Sequence, residues 1–111
     1  MVSMAKMERV LTGDFAEILT RIERGVVEGS TTASLEGSSD FVSGASRCSV
    51  RVFERYSYAG SNRVSLSVTL FQGEDGAICL SAVASGGSQA LFFKINTWGE
   101  EAFLDKLKEI I

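Results

Sequence analysis

Apolar and polar side chains alternate over most of two neighbouring segments of this chain, 47–58 and 63–70. A period of two predicts strands of an antiparallel sheet that has one apolar face. The apolar positions are Cys48, Val50, Val52, Tyr56, Tyr58, Val64, Leu66, Val68 and Leu70. We expect Val52–Tyr58 to pair with Val64–Leu70, and the latter with Ile78–Ala84, so that the apolar positions share one face.

The first thirty residues predict a short strand followed by a helix. Met4–Leu11 alternates weakly, and Asp14 with Glu17 three residues later has the spacing of a helix N-cap. The helix carries one apolar stripe, formed by Phe15, Ile18, Leu19, Ile22 and Val26. We expect it to end at Gly25 or Gly29.

The segment between this helix and the alternating strands is less regular. Ser30–Leu35 is expected to be an edge strand. The segment 36–46 is rich in Gly, Ser and Asp and is expected to be the largest loop. Phe41 and Val42 within it either pin the loop to the core or continue the strand.

A last strand at 91–95 and a helix capped by Thr97 complete the predicted order β-α-β-β-β-β-β-α. Each helix has a single apolar stripe and therefore needs an apolar sheet face to cover. The sequence thus predicts one α+β domain over residues 1–111. Its single antiparallel sheet is curled by its twist, with the N-terminal and C-terminal helices packed on one face.

The charge balance and the lack of histidine exclude several classes of function. The 111-residue chain has a formal net charge of −3, so its field repels nucleic acid and anionic membranes. Without histidine, the usual general base near neutral pH and most zinc sites are missing. We therefore expect no cofactor, no metal and no nucleic-acid partner. No apolar run has the length of a signal peptide or a membrane span, which predicts a cytoplasmic protein without membrane contact.

Cys48 and Cys79 are the two cysteines of the chain. With the expected pairing they lie on non-adjacent strands and point to opposite faces of the sheet. This geometry places them too far apart for a disulfide. We therefore predict two reduced thiols.

Two segments carry a resemblance to a known family: RVFERYS at 51–57 and GGSQALFFKINTWGEEAFL at 86–104. With them the chain resembles a family of small bacterial proteins, common among Firmicutes, that is catalogued as a domain of unknown function. That resemblance implies no activity or substrate. The order of elements also resembles a reduced helix-grip fold, as in Bet v 1-type ligand-binding proteins. Its short helices depart from that pattern and put a large internal cavity in doubt.

Arg47, Arg51 and Arg55 fall on one face of the first alternating strand, opposite its apolar positions. Residues four apart on a strand lie about 13 Å from each other, so the three guanidinium groups form a stripe. Arg63 can approach Arg55 across the hairpin. Such a stripe suits an elongated anion or an acidic partner. The alternative is a solvated outer face whose arginines pair with Asp and Glu.

Glu54 stands at an apolar-face position between Val52 and Tyr56. A carboxylate there must be paired, protonated or turned outward by a bulge. A buried, protonated Glu54 beside the hydroxyl groups of Tyr56 and Tyr58 would provide a general acid or base without histidine. A structural ion pair or an exposed strand end is the alternative.

The face opposite the apolar one is lined with small polar residues, among which stand Phe53, Phe71 and Phe92. Exposed aromatic rings on such a surface are typical of a partner-binding face. With both helices on the other face, this one is available for a sheet-to-sheet homodimer. Scattered aromatic exposure, which is common in monomers, is the alternative.

No catalytic motif accompanies these features. The sequence therefore predicts a non-enzymatic cytoplasmic module that binds a small molecule or a protein, with a homodimer as the expected assembly. The alternative is a small enzyme in which Glu54 and either Tyr56 or Tyr58 form an acid-base pair. That pair would lie in a cavity between the sheet and the helices.

Overall fold

Five antiparallel strands and one helix are seen in a computed structural model, which describes residues 4–56, 63–86, 107–108 and 110–111. The strands are β1 (Met4–Leu11), β2 (Ser34–Ser43), β3 (Ser46–Tyr56), β4 (Arg63–Gln72) and β5 (Ile78–Gly86). The helix α1 (Phe15–Glu28) follows β1. The strands form one curled sheet in the order β1-β5-β4-β3-β2. The predicted α+β fold class is confirmed.

Helix α1 begins and packs as its sequence predicts. The Asp14 carboxylate accepts a hydrogen bond of 2.9 Å from the backbone N–H of Glu17, which confirms the N-cap. The helix ends at Gly29, whose N–H donates to the Gly25 carbonyl oxygen. A Cβ added at Gly25 would lie 2.6 Å from the Ile110 side chain. The glycine therefore allows α1 to approach the C-terminal residues closely.

The side of the sheet that packs against α1, which we call the inner face, holds the core. Its buried residues on β4 and β5 are Val64, Leu66, Val68, Leu70, Ile78, Leu80, Ala82 and Ala84. Phe53 of β3, Ile22 of α1 and Leu107 are fully buried in the same cluster. Full burial of one large apolar side chain contributes about 1.5–3 kcal/mol. The stability of the fold therefore comes mainly from this face.

Strand β2 is longer than the sequence predicts. The prediction of a loop after Leu35 is wrong, because β2 continues along the sheet edge to Ser43. Phe41 and Val42 continue the strand, which was one of the two alternatives. A strand with almost every side chain exposed needs no apolar alternation. Backbone hydrogen bonds to β3 hold β2 in the sheet, and the register of this pairing shifts once, between Leu35 and Gly37.

The register of the β3–β4 hairpin also differs from the predicted one. The prediction places Val52 opposite Leu70, whereas Val52 pairs with Ser67 and Phe53 pairs with Leu66. A shift by an odd number of residues moves every side chain of a strand to the other face. The arginine side of β3 is therefore the inner face, and Val52 points away from α1.

Several predictions concern residues outside the described ranges. They are the strand at 91–95, the start of the last helix at Thr97, and the side chains of Tyr58 and Phe92. Leu107, which the prediction places in that last helix, is helical and fully buried. Within the described ranges, no helix is long and apolar enough to cross a membrane.

Candidate functional site

The arginine row of β3 lies on the inner face, so its predicted position on an outer surface is wrong. Arg51 occupies the centre of the row, and only 8% of its side chain is exposed. Its Nε bonds the Glu23 carboxylate of α1 at 2.5 Å, and its Nη2 lies 3.0 Å from the Asp40 carboxylate of β2. Its Nη1 also donates to two backbone carbonyl oxygens. The guanidinium group thus joins α1 to the edge strand.

Asp40 receives a second donor from the same face of β3. The Ser49 hydroxyl donates to its carboxylate at 2.6 Å. This hydrogen bond and the one from Arg51 hold the pKa of Asp40 below its ordinary value. Because Arg51 has carboxylate partners on both sides, it is not available to bind an external anion.

The side chains of the other two arginines of the row, Arg47 and Arg55, are partly buried. The Arg47 guanidinium carbon is 4.1 Å from the centroid of the Phe15 ring on α1. Its Nε is buried and has no hydrogen-bond partner among the described residues. Burial lowers the pKa of Arg55. Arg47 and Arg51 therefore contact the helix, and the binding of an anion or an acidic partner by the row stays a prediction.

Glu54 lies on the face turned away from α1, so its predicted inner-face position is wrong. Its carboxylate accepts a hydrogen bond from the Ser65 hydroxyl and pairs with Nε of Arg63 at 3.1 Å. The Arg63 guanidinium carbon is in turn 5.7 Å from the centroid of the Tyr56 ring. The structural ion pair, which was the alternative for Glu54, is what the geometry shows. Arg63 belongs to this cluster and not to the arginine row.

The face turned away from α1, which we call the outer face, carries one row of apolar side chains across all five strands. The row contains one residue from each strand, and each residue pairs directly with the next: Phe41, Cys48, Phe71, Cys79 and Val10. Its most exposed members are Val10 at 72%, Phe41 at 65% and Phe71 at 44%. We call these five residues the apolar row.

The predictions for the three interface aromatics, Phe53, Phe71 and Phe92, have different outcomes. Phe71 is exposed on the outer face, as predicted, and stands at the centre of the apolar row. The prediction for Phe53 is wrong, because the register turns it into the core with 0% exposure. The prediction for Phe92 falls outside the described residues. Phe41 was not predicted as a site residue, because its segment was interpreted as a loop.

Small uncharged side chains occupy most other outer-face positions, and the charged ones are paired. Lys6 and Glu8 lie 3.4 Å apart on β1, and Glu54 pairs with Arg63. These four are the charged residues at the register-paired positions of the outer face. Their charges cancel. Glu36 adds a negative charge at the edge strand, where its carboxylate accepts a hydrogen bond from the hydroxyl of the outer-face residue Ser34, so the described outer face is close to neutral.

The apolar row contains a depression of about 450 Å³ at Cys79. Val10 and Phe71 stand on its two sides, with Glu8, Thr69 and Ser81 beside them. Cys79 and Cys48 are free thiols on non-adjacent strands, as predicted. Their predicted opposite orientation is wrong, since both belong to the apolar row. Among the described residues no cluster of three or more Cys, Asp or Glu can hold a metal ion.

An antiparallel sheet with a helix on one face and an apolar row on the other defines a small α+β protein of helix-grip-like fold. The chain belongs to DUF6054, a family of unknown function, whose profile matches residues 4–111. No curated protein matches the sequence. The Firmicutes-type origin of the family stays a prediction.

Two solved structures share this fold. The hypothetical protein jhp0584 from Helicobacter pylori is similar with a TM-score of 0.54 and 11% identity, over 95% of this chain and 85% of that chain. Norcoclaurine synthase from Thalictrum flavum is similar with a TM-score of 0.53 and 11% identity, over 99% of this chain and 86% of that chain. At this level of identity the likeness concerns the fold alone.

Proposed function

We propose that the protein is a non-enzymatic interaction module that binds a protein partner through its outer face. The observation that carries this function is the apolar row, whose exposed members Phe41, Phe71 and Val10 lie in line across the sheet. Contiguous apolar surface of this kind is rare on proteins that act alone. Removing it from water is favourable by about 25 cal/mol for each Å².

The outer face has the size of a specific interface. Five strands spaced about 4.8 Å apart span about 24 Å, and eight residues of each strand span about 26 Å. Because the sheet is curled, this product is an upper bound of about 600 Å² for each partner, or about 1,200 Å² in total, at the lower end of specific interfaces. A partner of similar size to this chain would cover the face.

A second copy of the chain is the simplest such partner. Homo-oligomers commonly use one patch that binds its own copy about a two-fold axis. The outer face is close to neutral and gives little repulsion between two copies, although the whole chain is negative. Two free thiols on this face suit a reducing compartment, which supports a cytoplasmic location.

The enzyme alternative receives no support from the position of Glu54. Its carboxylate is bound by Arg63 and Ser65 and lies on the face without the helix. A general acid or base needs an oxygen that can reach a substrate proton. We therefore propose binding and not catalysis.

Light scattering coupled to size-exclusion chromatography tests the proposal. We expect the wild-type chain to elute as a dimer at micromolar concentration and a Phe41→Ser, Phe71→Ser double variant to elute as a monomer. The matched control is Val42→Ser, because Val42 neighbours Phe41, is 74% exposed and belongs to the inner side of β2. That variant should remain dimeric. A wild-type chain that is monomeric up to millimolar concentration would contradict the proposal, as would a double variant that still dimerises.

A further inference from the structure

The apolar row is arranged symmetrically about the central strand β4. Two of its residues, Phe41 and Cys48, lie on one side of Phe71, and Cys79 and Val10 lie on the other. A two-fold axis parallel to β4 and passing over Phe71 exchanges these sides between two copies. Phe41 then lies opposite Val10 of the other copy, Cys48 opposite Cys79, and Phe71 opposite itself. Every member of the row meets an apolar or thiol side chain.

The two ends of the row have complementary shapes. Phe41 projects from β2 with 65% of its surface exposed. At the other end, the depression of about 450 Å³ lies between Phe71 and Val10 and exposes Cys79. The same two-fold axis brings each Phe41 ring to the depression of the other copy. Because the operation is symmetric, this contact forms twice.

The charges on the outer face are compatible with the same axis. It places β1, with Lys6 and Glu8, opposite β2, and it places Glu54 of β3 opposite β5. The register-paired outer positions of β2 and β5 carry no charge: Ser34, Gly37, Ser39, Phe41, Ser43, Cys79, Ser81, Val83 and Ser85. Glu36, whose carboxylate bonds Ser34, adds a negative charge near the start of β2. An axis perpendicular to the strands would instead place each strand on its own copy. Centred midway between the rows of Glu8 and Lys6, it would bring Glu8 against Lys6 of the other copy, so charge does not choose between the two axes.

The remaining charge lies far from the axis centre. Arg63 stands at the opposite end of β4 from Phe71, about 26 Å away along the strand. An axis parallel to β4 keeps the two β4 strands parallel, so the two Arg63 side chains face each other across sheets that lie about 10 Å apart. Arg63 also keeps Glu54 as its own partner. Repulsion between the two Arg63 side chains is therefore small.

We infer that two copies of this chain pair face to face about a two-fold axis parallel to β4, with Phe41 of each copy seated over Val10 and Cys79 of the other. The inference rests on the proposed function, in which the outer face binds a second copy of the chain. It adds the relative orientation of the two copies and the side chains that meet between them. It also predicts that the β2 edge of one copy covers the β1 edge of the other.

Cross-linking of single cysteines tests the orientation. Both native cysteines are replaced, Cys48→Ser and Cys79→Ser, and one new cysteine is introduced by Phe41→Cys or by Val10→Cys. The reagent is a bismaleimide with a spacer of about 8 Å, chosen for packed sheets that lie about 10 Å apart. With the inferred axis, positions 41 and 10 of opposite copies are about 10 Å apart. Two copies of position 41, or two of position 10, are about 22 Å apart.

We expect no cross-linked dimer from either single-cysteine protein alone and a doubled mass when the two are mixed and allowed to exchange. Random exchange allows about half of the chains to be linked. A Val42→Cys protein mixed with the Val10→Cys protein is the matched control and should give no link, because position 42 belongs to the inner side of β2.

Two results would overturn the inference while leaving the proposed function intact. One is a link formed by each single-cysteine protein alone, which places the axis across the strands. The other is a chain that dimerises by light scattering but gives no link in any mixture. If the cysteine-free protein and the wild-type protein are both monomeric, the proposed function fails together with the inference.

Discussion

Phe53 and Phe71 are aromatic residues on adjacent strands of one sheet, and their side chains lie on opposite faces of it. Phe53 faces α1 with 0% exposure, whereas Phe71 faces away from it with 44% exposure. The inner face combines apolar packing with ion pairs that hold the helix, and the outer face combines an apolar row with small neutral residues. The comparison teaches that apolar character alone does not identify the core. The register of the strands decides which apolar side is covered.

The largest expected effect comes from truncating the two aromatics in turn. Phe53→Ala should lower the free energy of unfolding by about 3–5 kcal/mol, because a large buried side chain is lost and a cavity remains. Phe71→Ala should cost less than about 1 kcal/mol in the monomer, because its ring is already partly in water. Urea unfolding at a concentration where the protein is monomeric measures both. Equal losses would show that the two faces do not differ as described.

A smaller effect is expected from Arg51, which belongs to the inner face although it is charged. Arg51→Met should cost about 2 kcal/mol, because the partly buried carboxylate of Glu23 loses its partner and the guanidinium group no longer joins α1 to β2. The matched control is Arg21→Met, whose ion pair with Glu17 is exposed on α1 and is worth at most about 0.5 kcal/mol. The same urea unfolding measures the difference. If the two variants lose the same stability, Arg51 does not hold α1 to the sheet.

The smallest effect is the pH dependence that Asp40 brings to the inner face. Its pKa is lowered in the folded state, first by Ser49 and then by Arg51. Its contribution to stability is therefore complete above the ordinary pKa of aspartate and is lost as the pH falls through the lowered value. The Asp40→Asn variant should therefore lose less stability than the wild type as the pH falls from 5 through the lowered pKa of Asp40.

Carboxyl resonances followed by NMR give a direct readout of the same contact. Ser49→Ala removes the first of the two donors, so the pKa of Asp40 should rise toward its ordinary value. A titration of Asp40 that is unchanged by Ser49→Ala would contradict the hydrogen bond. It would also remove the reason for the acid sensitivity.

The positions of strands β3 and β4 could be predicted from the sequence, but the side of β3 that faces α1 could not. Both sides of β3 carry apolar residues, Val50 and Val52 on one and Phe53 on the other, so alternation fits either orientation. The turn sets the register, and an odd shift exchanges the faces. The burial of Arg51 depends on Glu23, which is 28 residues away in sequence. No local pattern contains that contact.

The candidate site was predictable only in part for a similar reason. Phe71 could be recognised as an outer-face aromatic, since it follows the apolar alternation of β4 by one position. Phe41 lies in a segment whose Gly and Ser content is typical of a loop. The apolar row exists only after the pairing of all five strands is known. It therefore depends on four registers that the sequence does not specify locally.

The measurement that tests the central claim most directly is urea unfolding of the wild type and of the Phe41→Ser, Phe71→Ser variant over a range of protein concentrations. A ligand or partner that binds only the folded state raises its apparent stability by mass action. If the outer face associates, the wild-type unfolding midpoint rises with concentration and the midpoint of the variant does not. A midpoint that is independent of concentration in the wild type, or that rises equally in both proteins, would contradict the account.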